Sequence, residues 1–204
     1  MAAERKKKEI RRKEIMECAV DLILSKQSRK LTLANIAGKM GVTEGSIYRH
    51  FRNKEEIMET MIRLLETNLI RSLAKMRRHE KNPLKIMETL LHSHLCSPKR
   101  QKEVAAVVSL IFSHLGNKPL RKKLITLVNS YIQSVENIIR EGQEAHIIRR
   151  DIDAGAAASI FSGLIYGLTS LNYLMRLPKE LSEHEERFWN IYLRGVQEEG
   201  VEKS

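Results

Sequence analysis

The chain is short of the residues that punctuate sheets and staple small domains. Its 204 residues include 10 Gly, 4 Pro, 2 Cys and one Trp, and aromatics make up 5%. So little turn-forming and aromatic material gives no basis for a many-stranded sheet, and an all-α fold is expected. Two cysteines far from any CxxC spacing, Cys18 and Cys96, exclude a disulfide framework and are expected as reduced, buried thiols of a cytoplasmic protein. No contiguous apolar run reaches the roughly 18–20 residues of a membrane span. The charged N-terminus lacks the apolar segment of a secretory signal, so no membrane partner is expected. Ser/His/Asp, HExxH, P-loop and dinucleotide-binding patterns are missing too, which argues against an enzyme and against a bound cofactor.

What is present is charge, unevenly placed. Of the net +11, residues 1–54 carry 14 Lys/Arg against 6 Asp/Glu, a net of +8, while residues 55–204 carry 22 against 19, a net of +3. A basic end on a nearly balanced body is the footprint of a polyanion binder, a solvated basic tail being the plain alternative.

Apolar spacing and stop signals divide the chain into nine helices with no strand. Residues 1–9 lack apolar periodicity and are expected as an arm. Ile15, Cys18, Ala19, Leu22 and Ile23 then define a first helix from Ile10 to about Ser25, and Gln27–Leu31 is a polar connector. Thr32 suits the N-cap of a second helix that buries Leu33, Ile36, Ala37 and Met40. Gly41 follows where a helix stop needs a left-handed residue. Thr43 is expected to cap a third helix, Glu44 to about Phe51, with Ile47 and Phe51 inward, and Asn53-x-x-Glu56 starts a fourth that runs to about Arg78. Further on, Asn82-Pro83 and Ser97-Pro98 open helices to about Leu95 and Leu115, and Gly116–Pro119 breaks the chain before one to about Glu141. A loop over Gly142–Asp153 precedes an apolar helix, Ala154–Met175, and Ser182-x-x-Glu185 caps the last, to about Gln197. The expected organisation is a basic arm with a three-helix helix-turn-helix head over 1–54, and a larger helical body over 55–204.

Residues Ile36-Ala37, Gly41-Val42-Thr43, Gly45, Ile47-Tyr48, His50-Phe51 and Lys54-Glu55 together resemble the signature of TetR/AcrR-type transcriptional regulators. Glu141-Gly142-Gln143, Ile147-Ile148-Arg149 and Asp151-Ile152-Asp153 resemble that family's segment between the seventh and eighth helices. On the residues themselves, Gly45 lets the third helix's N-terminus approach phosphate or base edges, where the helix dipole also favours anions. Thr43 and Ser46 offer short hydroxyls, and Arg49 can pair with a guanine edge or a phosphate. The resemblance adds Tyr48 and His50 as backbone contacts, Lys54 as a phosphate contact at the start of the fourth helix, and Thr32 as one from the second. Thr32 and Thr43 equally suit plain caps, and His50 a packed histidine. Glu44 would repel phosphate at close range. The arm residues Arg5, Lys6, Lys7, Lys8, Arg11 and Arg12 either track DNA or are simply solvated.

For the body, the resemblance implies a dimer surface and an enclosed effector pocket. Gly163 and Gly167, four apart, permit close helix approach. With Phe188, Trp189 and Tyr192 they suggest a four-helix interface across a two-fold axis, with packing inside one chain as the alternative. Candidate pocket residues are Met61, Leu65, Leu91, His94, Val108, Phe112, Tyr131, Phe161 and Ile165. That pool contains almost no charge, so a lipophilic or neutral effector is expected. No metal site is expected, because His92 and His94 point about 200° apart on a helix, with Cys96 and His114 on other elements. The expected function is a homodimeric, ligand-responsive repressor released from a palindromic DNA operator by a small-molecule effector. The alternatives are a charge-driven architectural nucleic-acid binder and an enzyme built on the helical body.

Overall fold

The computed structural model describes residues 2–25, 31–113, 117–175 and 181–198, less the side chains of 2–5, 112–113, 174–175 and 182. The expected connector residues 27–30 and His114 lie outside the described residues. Among those described there are nine α-helices: α1 (Ala2–Ile23), α2 (Leu33–Met40), α3 (Glu44–Tyr48), α4 (Lys54–His79), α5 (Pro83–Leu95), α6 (Pro98–Ser113), α7 (Lys118–Glu144), α8 (Ala154–Met175) and α9 (Glu185–Val196). No strand is found among them, only an isolated bridge between Ile148 and Gln197.

The helix starts follow from side chains that accept orphan amides. Asn53 Oδ1 accepts from the Glu56 amide at 2.8 Å, Asn82 Oδ1 from Leu84 at 3.0 Å and Asn117 Oδ1 from Leu120 at 3.1 Å. Three expectations change. Residues 2–9 are not a separate arm but the first turns of α1; Lys, Arg, Glu and Ala are strong helix formers and need no apolar stripe to propagate an existing helix. The cap position of α9 is His184, which makes no side-chain cap bond, rather than Ser182, whose backbone falls within a 3-10 turn, Leu181–His184. Finally, α8 over Ala154–Tyr173 is long and apolar enough to cross a membrane, with a mean hydropathy of 1.4. Short apolar runs hid this, since Gly, Ser and Thr interrupt a stretch that has no charge. Buried Phe161, Ser162, Ile165, Thr169 and Ser170 nonetheless make it a core helix of the body, packed on α5, α6 and α7.

Three apolar clusters stack along the molecule. The first joins α1 (Ile15, Ala19, Leu22), α2 (Leu33, Ile36, Ala37), Ile47 of α3, Phe51 and Ile57 of α4. The second joins Met58, Met61 and Ile62 of α4 to Val107 and Leu110 of α6 and Leu120, Leu124 and Leu127 of α7, with Val20 and Ile23 of α1 packed against it. The third fills the body between α5, α7, α8 and α9.

Polar contacts fasten these layers. Arg12 lays its guanidinium 4.0 Å from the Phe51 ring centroid, and donates to the His50 carbonyl and to Glu56 Oε1. Asp21 on α1 receives Lys39 of α2 at 3.0 Å and Lys102 of α6. Partial burial opposes its ionisation, but the two ammonium groups prevail and hold the carboxyl below its ordinary value. In the loop before α8, the amides of Ile147 and Ile148 both donate to Gly142 O at 2.9 and 3.0 Å. That reversal brings the fully buried Ile148 side chain over Gly142, where an added Cβ would lie 2.6 Å from Ile148 Cδ1 and 2.8 Å from Cγ1. This contact is why the Glu141-Gly142-Gln143 segment needs its glycine.

Two stability changes follow. Gly142→Ala forces Ile148 out of its seat and should cost about 1–3 kcal/mol in urea unfolding, the usual range for overpacking; an unchanged midpoint contradicts the contact. Arg12→Ala removes the cation–π contact and two hydrogen bonds across the head and should cost about 1–2 kcal/mol, whereas exposed Lys13→Ala should stay within about 0.5 kcal/mol.

Candidate functional site

The helix-turn-helix is built as its residue types require. Gly41 sits at φ +65°, and the amides of Gly41 and Val42 close α2 on the Gly38 and Ala37 carbonyls. Thr32 Oγ1 accepts from the Asn35 amide at 3.1 Å, so it does cap α2 and keeps its own O–H proton to donate. Thr43 occupies the α3 cap position without a capping bond; its hydroxyl lies 3.1 Å from the Ser46 hydroxyl instead. α3 is also shorter than expected, ending at Tyr48, and Arg49 and His50 form a turn on the Gly45 and Ile47 carbonyls.

Burial separates the residues that build this head from those it presents. Ile47 and Phe51 are enclosed, while Thr43, Glu44, Gly45, Tyr48, Arg49 and Lys54 are exposed and Ser46 is half-buried. Tyr48 stands out as an aromatic ring 56% exposed. His50 is half-buried, with Nδ1 enclosed and without a hydrogen-bond partner among the described residues. Burial, then Arg11, Lys8, Arg12 and Arg49, push its pKa below the ordinary value. A neutral imidazole can donate a hydrogen bond but brings no charge to a phosphate.

In the body, a cavity of about 60 Å³ opens between α4, α5, α6, α7 and α8. Leu65, His94 and Tyr131 line it as expected, with Val104, Val107 and Leu127. Met61 belongs to the neighbouring cluster, and Leu91, Phe161 and Ile165 are fully enclosed in the body core, outside the wall. Val108 is half-buried one position along from the lining Val107, and the Phe112 side chain lies outside the described residues. The wall also holds charge that the sequence reading left out: Arg100 and Glu103, an ion pair at 3.3 Å. The signal was available as i, i+3 charges on the face of α6 that carries Val104 and Val107.

His94 Nδ1 meets the Leu90 carbonyl at 2.8 Å, and burial brings its pKa down to about 4, so the ring is neutral and donates there. Tyr131 packs against it, with ring centroids 5.7 Å apart, and its buried hydroxyl has no hydrogen-bond partner among the described residues. Burial drives the Tyr166 hydroxyl, also on the wall, well above the ordinary phenol range.

The α8–α9 surface departs from the expected interface in one respect. Gly163 and Gly167 are exposed with open space above them, and Phe188 is half-buried, as an interface would need. Trp189 and Tyr192 instead turn into the chain's own core, where Tyr192 donates to the Ala157 carbonyl at 3.0 Å and stacks on Trp189. Tyr192 still lends one edge to an outer groove of about 480 Å³, lined also by Ile160, Leu164, Phe188 and Ile191. Ile160 and Ile191, 65% and 74% exposed, are the apolar residues that sequence reasoning passed over. Ile160, Gly163 and Gly167 follow helical spacing on α8, which was the available signal.

One further constellation was missed. His92 and Cys96 lie four apart on one face at the end of α5, where Cys96 is the C-cap rather than part of another element. Glu185, at the first position of α9, places Oε2 2.8 Å from His92 Nδ1 and accepts from Cys96 Sγ at 3.3 Å. Burial and the Glu185 carboxylate push the Cys96 thiol up to about 11. Comparing His92 with His94 tested the wrong pair, and Glu185 lies 89 residues beyond Cys96.

Known proteins share this architecture. The profile of "Bacterial regulatory proteins, tetR family" matches residues 15–61, and that of "YsiA-like protein, C-terminal region" matches residues 63–179. A nucleoid occlusion factor SlmA from Idiomarina loihiensis is 27% identical over 185 residues, covering 89% of this chain and 92% of the relative. The fold is similar to that of the ketosteroid transcriptional regulator KstR2 of Mycobacterium tuberculosis, with a TM-score of 0.75, 19% identity and coverage of 93% and 96%. It is also similar to that of FadR from Bacillus subtilis in complex with stearoyl-CoA, with a TM-score of 0.64, 20% identity and coverage of 90% and 98%. With both profiles matched in order and the second spanning more than half of the sequence, the chain belongs to the TetR family of DNA-binding transcriptional regulators.

Proposed function

We propose that this regulator is a homodimeric repressor, held on a palindromic operator through its two heads and released when a small molecule enters the body. The observation that carries this reading is the double use of one turn of α6. Arg100 and Glu103 stand on the cavity wall, while Lys102, between them, pairs with Asp21 in the head. A ligand that moves this turn therefore acts on α1 directly. α4, which contributes Ile57 to the head core and Met58 to the next, is the second connection.

For DNA, Gly45 and Ser46 bring the start of α3 to the backbone and base edges, with Thr43 and Tyr48 beside them. Arg49 reads a base or a phosphate, and Lys54, Thr32 and a neutral His50 contact the backbone. The helical basic segment of α1 lies beside this face, although Arg12 is engaged inside the head. Such a protein works in the cytoplasm with the chromosome.

The effector that suits the cavity is mainly apolar, with one polar group to satisfy the Tyr131 hydroxyl and the free nitrogen of His94. A cavity of about 60 Å³ is far below the ~300–1,000 Å³ of ligand sites, so entry must displace part of the wall. FadR from Bacillus subtilis binds stearoyl-CoA, whose acyl chain has the apolar character of this wall. The Idiomarina relative, a nucleoid occlusion factor, suggests a second reading as a chromosome-associated protein of that kind; the unpaired Tyr131 hydroxyl at the cavity favours the effector-responsive reading. For dimerisation, the α8–α9 groove with Ile160, Gly163, Gly167, Phe188 and Ile191 is the surface that a second copy covers. Its role is to set two heads about 34 Å apart, on successive major grooves.

Fragments selected from genomic DNA should contain a palindrome bound at least about 10³-fold more tightly than random DNA at equal salt. Arg49→Ala should relax base preference by about 1–3 kcal/mol at one position, while Lys54→Ala should weaken all sequences alike and lower the salt slope by about one. Full operator affinity in both variants would falsify these assignments. For the dimer, Ile191→Glu should convert it to monomer in sedimentation while the far-UV spectrum stays helical; an unchanged sedimentation coefficient removes α8–α9 as the interface.

A further inference from the structure

The geometry points to a zinc(II) site formed by His92, Cys96 and Glu185, which clamps the end of α5 to the start of α9. One imidazole nitrogen, one sulfur and one carboxylate oxygen lie within 4.8 Å of one another. His92 and Cys96 share a face by their i, i+4 spacing, and Glu185 arrives from an element remote in sequence, so the folded chain alone assembles the set. A mixed N/S/O set is chosen by zinc and rejected by magnesium and calcium, which require oxygen ligands.

Two of the three ligand separations suit replacement of a proton by a metal, and the third, His92 to Cys96, is within 4.8 Å. With bonds of about 2.0–2.3 Å in a tetrahedral site, neighbouring ligand atoms stand roughly 3.3–3.6 Å apart. Cys96 Sγ and Glu185 Oε2 are already at 3.3 Å. His92 Nδ1 and Glu185 Oε2, now hydrogen-bonded at 2.8 Å, need to open by roughly half an ångström. On binding, the thiol proton passes to solvent and the sulfur–zinc bond forms. His92 coordinates through Nδ1, with its proton on Nε2, and Glu185 supplies a carboxylate oxygen. Thiolate and carboxylate then neutralise the dication, and the fourth position is left to water. The His92 side chain is 62% exposed, which gives the ion a way in, while Glu185 is 17% exposed and held.

The site is separate from the effector reading: His94 lines the cavity, while His92 points about 200° away from it around α5. The α9 start lacks a side-chain cap bond at His184, so a metal there would strengthen the hold that Glu185 already has on His92 and Cys96.

Full-length reduced protein, stripped by chelation, is titrated with zinc(II) against a colorimetric chelator. Wild type should hold one zinc per chain. Cys96→Ser should lose it, and His92→Gln and Glu185→Gln should each weaken binding at least about 10- to 100-fold, the range seen even for outer partners of metal ligands. Cobalt(II) should give a thiolate charge-transfer band that is missing in Cys96→Ser. The controls Cys18→Ser and His79→Gln should behave as wild type. A wild-type protein that yields all zinc to the chelator overturns the site, as does a Cys96→Ser protein that keeps one zinc. Should Cys96→Ser fail to fold by circular dichroism, exposed His92→Gln decides: affinity equal to wild type overturns the site, and the stated loss supports it.

Discussion

Within two consecutive residues, α4 passes from one hydrophobic core to the next. Ile57 is enclosed with Ile36, Ile47 and Phe51 in the head, and Met58 is enclosed with Leu110, Leu120 and Leu124 beneath it. Successive helical positions point about 100° apart, so a continuous helix can serve both cores without a linker. The charge step between residues 54 and 55 therefore does not mark a mechanical boundary, since the head's core needs a residue beyond it. Asp21 reinforces the constraint from the other side by holding Lys39 of the head and Lys102 of α6 together. A head fastened in two places cannot reorient alone, and any movement of it has to be a movement of α4 or α6.

The same packing assigns the basic charge of the head to different tasks. Arg12 is engaged by Phe51, His50 and Glu56, so its charge supports the turn after α3 rather than standing free for DNA. Arg11 and Lys13 pair along α1 with Glu14 and Glu17, contacts that exposed side chains exchange easily. Arg49 and Lys54 remain exposed beside the start of α3 and α4. His50 stands between these groups, and burial with four nearby cations disfavours a fifth positive charge there. Positive potential at the reading face is thus built without charging the histidine.

Local chemistry was legible in the sequence wherever a residue type has one physical use. Thr32, Gly41, Asn53, Asn82 and Asn117 mark helix ends because their oxygens or missing Cβ serve the backbone within a few residues. Direction around a helix was less legible. Trp189 and Tyr192 share α9 with Ile191, and which flank faces inward depends on where α5 and α8 lie. The largest rings went to the core, leaving isoleucines outside. The helical course of residues 2–9 was hidden because charged helix formers leave no periodic trace. Contacts across long separations were least legible of all: neither the Cys96–Glu185 approach nor the use of Lys102 by Asp21 is encoded in any local spacing.

The cavity constrains what an effector of such a protein has to do. A ligand that fills only the apolar wall gains similar energy in either head position and shifts nothing, because only differential affinity moves an equilibrium. Moving a regulator from 1:99 to 99:1 takes about 5.5 kcal/mol of difference. Satisfying the Tyr131 hydroxyl offers about 1–3 kcal/mol, which falls short even if all of it is state-dependent. The remainder has to come from groups whose surroundings change with the head, and the Arg100–Glu103 pair is the one on the wall that adjoins Lys102 on the same turn. At 25% and 16% exposure the pair is shielded enough for its rearrangement to matter. On the proposed reading, an effector with a polar end that re-pairs Arg100 or Glu103 pulls on α6, whereas a purely apolar one occupies the cavity and leaves the heads where they were.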